Sequence, residues 1–323
     1  MKIIYAAIIA LALDMMLGDP EWLIHPVVIM GKCISRAERA LRRIFPATER
    51  GEFAAGLMLA LSLPLLTLAL TLIPVLLLDR YMPILSFALQ VFWGWQSLAV
   101  KGLITAGKEV AGHLDRQETE EARRSVGKIV GRDTDKLDED GIVRACVESL
   151  AENFSDGIVA PLFYFILGGA PLALCYKAVN TLDSMTGYKN KKYIFFGRAS
   201  AKMDDAANFI PSRAAAVFLI MAARLLRYDA EGAARVWKRD RRKHDSPNSA
   251  QTEAAAAGAL GIKLGGGSYY FGEYKEKPVI GDGNKKPDTG DIRRMSRMVF
   301  LGSLISLAVF CIIRAAVCIY YKV

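Results

Sequence analysis

Histidine and cysteine are scarce in this 323-residue chain, with three of the first and five of the second. The cysteines, Cys33, Cys146, Cys175, Cys311 and Cys318, are scattered and never spaced CxxC. They write neither a disulfide framework nor a zinc site, and the reading they support is small packing residues in a reducing compartment. Also absent are GxxxxGK[ST], a GxGxxG after a strand, GxSxG and HExxH. P-loop hydrolysis, dinucleotide redox chemistry, serine hydrolysis and zinc proteolysis are therefore unsupported. No small-x-small cleavage site follows the apolar stretch Ile3 to Leu13 behind Lys2, which predicts an uncleaved first helix rather than a secretory signal.

What is abundant is apolar sequence, unevenly spread. The chain is 53% hydrophobic yet 23% charged, with a mean hydropathy of +0.24. A soluble domain would distribute its apolar residues at helix or strand period, whereas here they are pooled into runs such as Phe53 to Leu78. The expected fold is an all-α integral membrane protein, one polytopic helical bundle over 1–323 with some short or re-entrant helices. Its apolar segments fall near 3–17, 53–78, 81–100, 158–180, 209–228 and 299–320, and its polar functional stretches at 18–52, 101–157, 177–213 and 229–297. Segments 53–78, 81–100 and 299–320 have spanning length. The segments near 158 and 209 read as re-entrant or protein-packed, because Gly168-Gly169 and Pro171 interrupt one and the other is short. A small β-hairpin is expected near 268–281, with Tyr269, Tyr270, Phe271, Tyr274 and Val279 at strand-like positions.

The formal charge is +9. Stretches 18–52, 101–157, 177–208 and 224–297 carry six, nine, six and sixteen Lys and Arg, against one in an expected turn at Asp79-Arg80. Positive-inside bias puts all four basic stretches in the cytoplasm, and nothing in the surplus calls for nucleic acid.

Four constellations carry chemistry. Asp14-x-x-x-Gly18-Asp19-Pro20, then His25-Pro26, sets two carboxylates and an imidazole at a membrane boundary. Gly131-Arg132-Asp133 leads to a helix from about Ile142 in which Glu148, Glu152 and Asp156 share one face; three stacked like charges suit a Mg²⁺ site, or else a solvated acidic face. In the third, Asn180 with Asp183, and Asp204 or Asp205 with Asn208, are one turn apart and suited to a hard cation, while Lys192 and Arg198 suit phosphate or a membrane-flanking loop. In the fourth, Ser246 reads as an N-cap with Pro247 as the first helical residue and Gly261 as the stop. That helix start, behind Arg239, Lys243 and His244, suits an anion or an anionic lipid surface.

These blocks, in this order, resemble the CbiB/CobD family of cobalamin-biosynthesis membrane proteins, the adenosylcobinamide-phosphate synthases. The matching pieces are Asp14 to Gly31, Gly131 to Pro161, Tyr176 to Arg213 and Arg239 to Gly267, more than a third of the chain. The resemblance implies an ATP-dependent ligase of the cell membrane, its active-site loops facing the cytoplasm. It would join a propionate carboxylate of adenosylcobyric acid, a corrinoid, to the amine of (R)-1-amino-2-propanol O-phosphate, with Mg²⁺ as cofactor. Its partners would be these substrates, the lipid bilayer and other membrane-associated corrinoid enzymes. On this reading Asp14, Asp19 or His25 is the base, and Arg132, Lys177 and Arg213 neutralise charge. Lys192, Arg198, Arg239, Lys243, His244, Ser246, Asn248 and Ser249 hold phosphate. Glu148, Glu152, Asn153, Asp156, Asn180, Asp183, Asp204, Asp205 and Asn208 position metal and nucleotide. Two alternatives stand beside it: a Mg²⁺-dependent intramembrane prenyltransferase, which Asn180-x-x-Asp183 and Asp204-Asp205 faintly suggest, and a non-catalytic sensor or transporter relative.

Overall fold

A computed structural model describes residues 1–20, 22–270, 272–283 and 285–321. It is helical nearly throughout, and its chain divides into two compact units built from interleaved stretches: 1–99, 160–208 and 310–323 form the first, 100–159 and 209–309 the second.

The first unit contains α1 (Lys2–Leu17), α2 (Pro26–Ile44), α3 (Glu49–Tyr81), α4 (Pro83–Trp95), α8 (Ala160–Thr186) and α9 (Arg198–Ala207). Its core joins Ile34, Leu59, Leu174, Leu182 and Phe196. Helix α3 starts at a Thr48 cap, whose hydroxyl accepts from the Gly51 amide at 3.1 Å, with Glu49 and Glu52 in the first turn where the helix dipole favours them. It then presents Leu65, Leu66, Leu70, Leu76 and Leu77 outward. An exposed apolar face of that extent belongs against lipid.

Composition misjudged the hairpin that follows. The helix continues through Asp79-Arg80 and breaks at Met82–Pro83, and α4 stops at Trp95 although apolar residues run on to Val100. Thirteen residues rise about 20 Å, short of the roughly 30 Å hydrocarbon layer, so 81–100 is not a helix of spanning length. Trp95 is pinned instead, its indole donating to the Gly18 carbonyl at 2.9 Å. Among the described residues, three helical stretches are long and apolar enough to cross a membrane: Glu49–Tyr81, Glu139–Thr186 and Thr289–Tyr321; α9 and α10 taken together as one broken span would make a fourth.

The Gly-Gly-Pro signal does mark a break. Within α8 the backbone leaves helical geometry at Gly168 (φ −141°, ψ 20°) and Gly169 (φ 72°, ψ −170°), the latter in a region open to glycine and costly for other residues. Pro171 has no amide to offer the carbonyl four residues back, that of Leu167. The lone charge of the apolar stretch 299–320 replaces it, since Arg314 Nη1 donates to the carbonyls of Ile166 (2.6 Å) and Leu167 (3.1 Å).

The second unit contains α5 (Val100–Asp115), α6 (Thr119–Gly127), α7 (Glu139–Phe154) with a π-helical turn at Ser155–Val159, α10 (Phe209–Leu225), α11 (Ala230–Asp240), α12 (Ser249–Leu260) and the first part of α13 (Thr289–Tyr321). Alanines make α12 thin and wholly buried. Gly258 lets α11 approach so closely that a methyl group there would overlap the Ala233 Cα. Gly261, at φ 66°, ends α12 in the left-handed conformation. Two antiparallel ladders follow, β1 (Leu264–Gly265) with β4 (Val279–Ile280) outside β2 (Ser268–Tyr270) with β3 (Glu273–Lys275). This is the expected hairpin, though Phe271 lies outside the described residues.

Candidate functional site

In the second unit, one cluster gathers side chains from α7, α12 and the hairpin. Asp138 caps α7, its carboxylate accepting from the Gly141 amide at 2.8 Å, which fixes the helix that carries Glu148 and Glu152 four residues apart. Glu148, almost fully buried, receives Arg132 on one oxygen and the Gly265 amide at 2.6 Å on the other. Arg132 also reaches the Ser268 hydroxyl at 3.3 Å, and the hairpin is tied to the same loop by the Asp133 amide on the Tyr269 carbonyl and the Gly272 amide on the Asp133 carboxylate, at 2.9 and 2.7 Å. Glu152 accepts from the Ser249 hydroxyl at 2.8 Å.

Glu253 of α12 is buried within electrostatic reach of both carboxylates. Burial pushes its carboxyl well above the usual range, the neighbouring Glu148 and Glu152 push further, and Lys277 and Arg132 only partly offset this. Burial likewise lowers the affinity of His244 for a proton, helped by Lys277 and opposed by Glu152. The His244 ring Nδ1 accepts from the Ser246 amide at 3.0 Å.

The approach to α12 differs from its sequence signals. The helix begins at Ser249, and Pro247 and Asn248 lie in a turn, so Ser246 is not its N-cap. The cause is tertiary: the Asn248 side-chain oxygen accepts from Arg213 (3.0 Å) and Ser212 (3.2 Å) of α10. Arg239 and Lys243 face another way. They flank the fully buried Asp240, Arg239 through a double hydrogen bond at 2.8 Å and Lys243 at 2.8 Å, while the Gly281 amide donates to the same carboxylate. Arg239 foremost holds the Asp240 carboxyl far below the ordinary carboxylate range.

In the first unit, Asp19, His25 and Lys177 line one cavity of about 580 Å³, together with Lys32 and Gln96. His25 Nε2 stands 3.7 Å from Asp19 Oδ1, and His25 Nδ1 accepts from the Val27 amide at 3.2 Å, capping α2. Burial raises the pKa of Asp19 against the pull of His25 and Lys177, and burial lowers that of His25 against the pull of Asp19. Asp14 is fully buried in α1 and is not among the lining residues.

A separate network in the first unit links Asn180, Asp204 and Asn208. Asp204 accepts from Asn180 at 3.3 Å and from Asn208 at 3.0 Å, and Tyr176 donates to Asn208 at 2.9 Å. Asp183 lies against Gly187, and Asp205 is half-buried on α9. Lys192 joins an ion-pair group, 3.2 Å from Glu38, which also holds Arg42 at 2.9 Å. Arg198 is exposed at the first position of α9.

The family model described as CobD/Cbib protein matches residues 7–299. The chain belongs to the CobD/CbiB family. Among its relatives, the cobalamin biosynthesis protein CobD of Clostridium perfringens is 43% identical over 314 residues, covering 96% of this chain and 99% of that protein. CobD of Geobacter metallireducens is 46% identical over 291 residues, 90% of each chain, and the cobalamin biosynthesis protein CbiB of Salmonella typhi is 43% identical over 307 residues, 95% of this chain and 96% of the other. No solved structure matches.

For this CobD/CbiB member, the residues expected to bind metal fall in both units. Glu148, Glu152, Asn153 and Asp156 belong to the second; Asn180, Asp183, Asp204, Asp205 and Asn208 belong to the first. Asn153 donates locally to the Ser149 carbonyl at 3.0 Å, and the π turn at Ser155 interrupts the regular phase that would have carried the acidic face to Asp156. Among the described residues no three His, Cys, Asp or Glu side chains are grouped to hold a metal ion. Glu253, Lys277 and Gln96 escaped the sequence reading. Only Glu253 left a signal, as the one acid opening the run Ala254 to Leu260.

Proposed function

We propose that this protein acts in cobalamin biosynthesis as an ATP-dependent ligase of the cell membrane, its site loops facing the cytoplasm. It would form the amide between a propionate carboxylate of adenosylcobyric acid and the amine of (R)-1-amino-2-propanol O-phosphate. Family membership over nearly the whole chain supports the pathway. The observation that carries the chemistry is the grouping of buried Glu148 and Glu253 with the exposed Glu152, and with Arg132, His244 and Ser249 around them. Carboxylate and amine do not condense at neutral pH without activation, so the substrate carboxylate would attack the γ-phosphorus of ATP, releasing ADP and leaving an acyl phosphate. The amine, having lost a proton, would attack the acyl carbon and expel inorganic phosphate.

An all-oxygen donor set of crowded carboxylates fits Mg²⁺ in the mode where one or two protein carboxylates complement substrate phosphates and water. Glu152 and Glu253 would hold it, and when bound it supplies charge neutralisation on the phosphates. Arg132 would remain on Glu148, keeping that side chain from repelling the others. His244 and Ser249 would face the phosphate.

For the proton, the geometry of the first unit favours Asp19 over His25. Because His25 Nδ1 accepts from Val27, the neutral ring carries its proton on Nε2, 3.7 Å from Asp19 and hydrogen-bonded to the Gln96 backbone, and so has no free lone pair with which to act as base. Asp19, with its pKa raised by burial, is a stronger base than a solvated carboxylate.

The test is turnover of the full chain in proteoliposomes, with adenosylcobyric acid, aminopropanol phosphate and MgATP. One adenosylcobinamide phosphate and one ADP should appear per cycle. Asp19→Asn should lower kcat by about 10²- to 10⁴-fold, the usual contribution of a general base. No amide from the intact protein, or an unaffected Asp19→Asn variant, would overturn the reaction or the base respectively.

A further inference from the structure

A recess of about 680 Å³ in the second unit lies away from the carboxylate cluster, among α5, the end of α10 and the start of α13. Its floor is apolar, with Ile104, Leu226, Phe300 and Leu301, and its rim is basic, with Lys108, Arg293 and Arg297. Arg293 is ion-paired with Asp115. Lys108 and Arg297 are exposed, and among the described residues neither has a hydrogen bond or ion pair. The rim therefore carries two uncompensated positive charges beside an uncovered apolar floor.

Position on α13 says what should fill it. That helix is a candidate membrane span whose sequence turns from Arg293, Arg294 and Arg297 to Phe300 and Leu301. At 1.5 Å per residue, Arg293 and Phe300 are about 10 Å apart along the axis, the distance over which a bilayer passes from headgroup to acyl chain. A soluble anion would satisfy the rim and leave the floor wet; an acyl chain alone would leave two cations unmatched. One ligand answers both features.

We propose that this recess binds an anionic glycerophospholipid, Lys108 and Arg297 holding its phosphodiester and Phe300 and Leu301 lying along the first acyl carbons. Such basic, apolar-floored recesses beside spanning helices suit anionic headgroups because the phosphate is charge-matched while the chain stays out of water.

The experiment compares thermal unfolding of the full chain in nanodiscs of phosphatidylcholine with and without phosphatidylglycerol, for the wild type, Lys108→Glu/Arg297→Glu and Lys108→Gln/Arg297→Gln. Phosphatidylglycerol should raise the wild-type Tm, and lipid extracted from detergent-purified protein should be enriched in anionic species. The charge-reversed variant should lose at least half of that Tm rise, with an unchanged Tm in pure phosphatidylcholine. If the reversed variant fails to insert, the neutral one decides by the same criterion. A Lys238→Glu variant, altered on the remote surface of α11, should keep the full rise. An equal phosphatidylglycerol effect in the double variants, or an equal wild-type shift with inorganic phosphate in phosphatidylcholine, would overturn the lipid assignment. Because only stability and lipid content are read, failure here would leave the ligase reading standing, and the reverse.

Discussion

Glu253 concentrates the electrostatics of the second unit. Its folded pKa is raised above the ordinary 4.5, so at low pH it is protonated in both folded and unfolded chains and contributes fully. As pH climbs from there toward the folded value, the unfolded chain sheds the proton first, and stability falls. Glu253→Gln keeps the shape and removes the titration. Thermal melts of the full chain in detergent across that acid-to-neutral range should therefore show a flatter decline for Glu253→Gln than for the wild type. An identical slope would mean that Glu253 does not carry the buried proton. An acid opening an alanine run was the one local signal this residue gave; sequence spacing could not join it to Glu148 and Glu152, which come from a helix about a hundred positions earlier. Asp19 and His25 were legible for the opposite reason: they are close in sequence, and Pro20 and Pro26 force a turn between them.

At the scale of elements, the break in α8 combines a strained glycine with a borrowed cap. Gly169→Ala would place a methyl at φ 72° and against the Gln90 side chain, costing about 1–2 kcal/mol from conformation alone. Arg314→Met would keep the bulk and strip the carbonyls of Ile166 and Leu167 of their donor, a loss of about 1–3 kcal/mol for each carbonyl left unsatisfied. Both variants should lower the Tm of purified protein. In Arg314→Met the loss should fall by about half when Pro171→Ala restores an amide for the Leu167 carbonyl, the Ile166 carbonyl staying bare, and fully additive losses would show that Arg314 does something else. The break itself was readable, since glycine pairs and proline act locally. Its cap was not, because an arginine in an apolar helix looks the same whether it faces lipid, water or a distant carbonyl. The ends of α4 and α12 failed for a related reason: a tryptophan anchored to Gly18 and an asparagine taken by Arg213 override what neighbouring residues prefer.

Across the whole molecule, composition disclosed the membrane character and the helical class, because pooled apolar residues have few other solutions in water. It did not disclose which apolar runs are long enough to cross, since a turn beside a buried helix end can be as apolar as a span. Sidedness can be read from the native thiols. Cys33 is exposed on α2, in the first of the four basic stretches, whereas Cys146 is buried. With the other cysteines replaced by serine or alanine, Cys33 should react with an impermeant maleimide in inverted but not in right-side-out vesicles. Reaction from the outside alone would place stretch 18–52 opposite to the proposed orientation.

The division of the chain into interleaved stretches bears on how it is made. The first unit is left unfinished twice, at residue 99 and at 208, and its final piece, 310–323, comes last. Arg314 is synthesised 148 residues after the Ile166 carbonyl it serves. During insertion the break in α8 must therefore wait, held by water or translocon, until the ribosome has delivered almost the entire chain, and a truncation before α13 would remove that clasp rather than merely a terminal anchor.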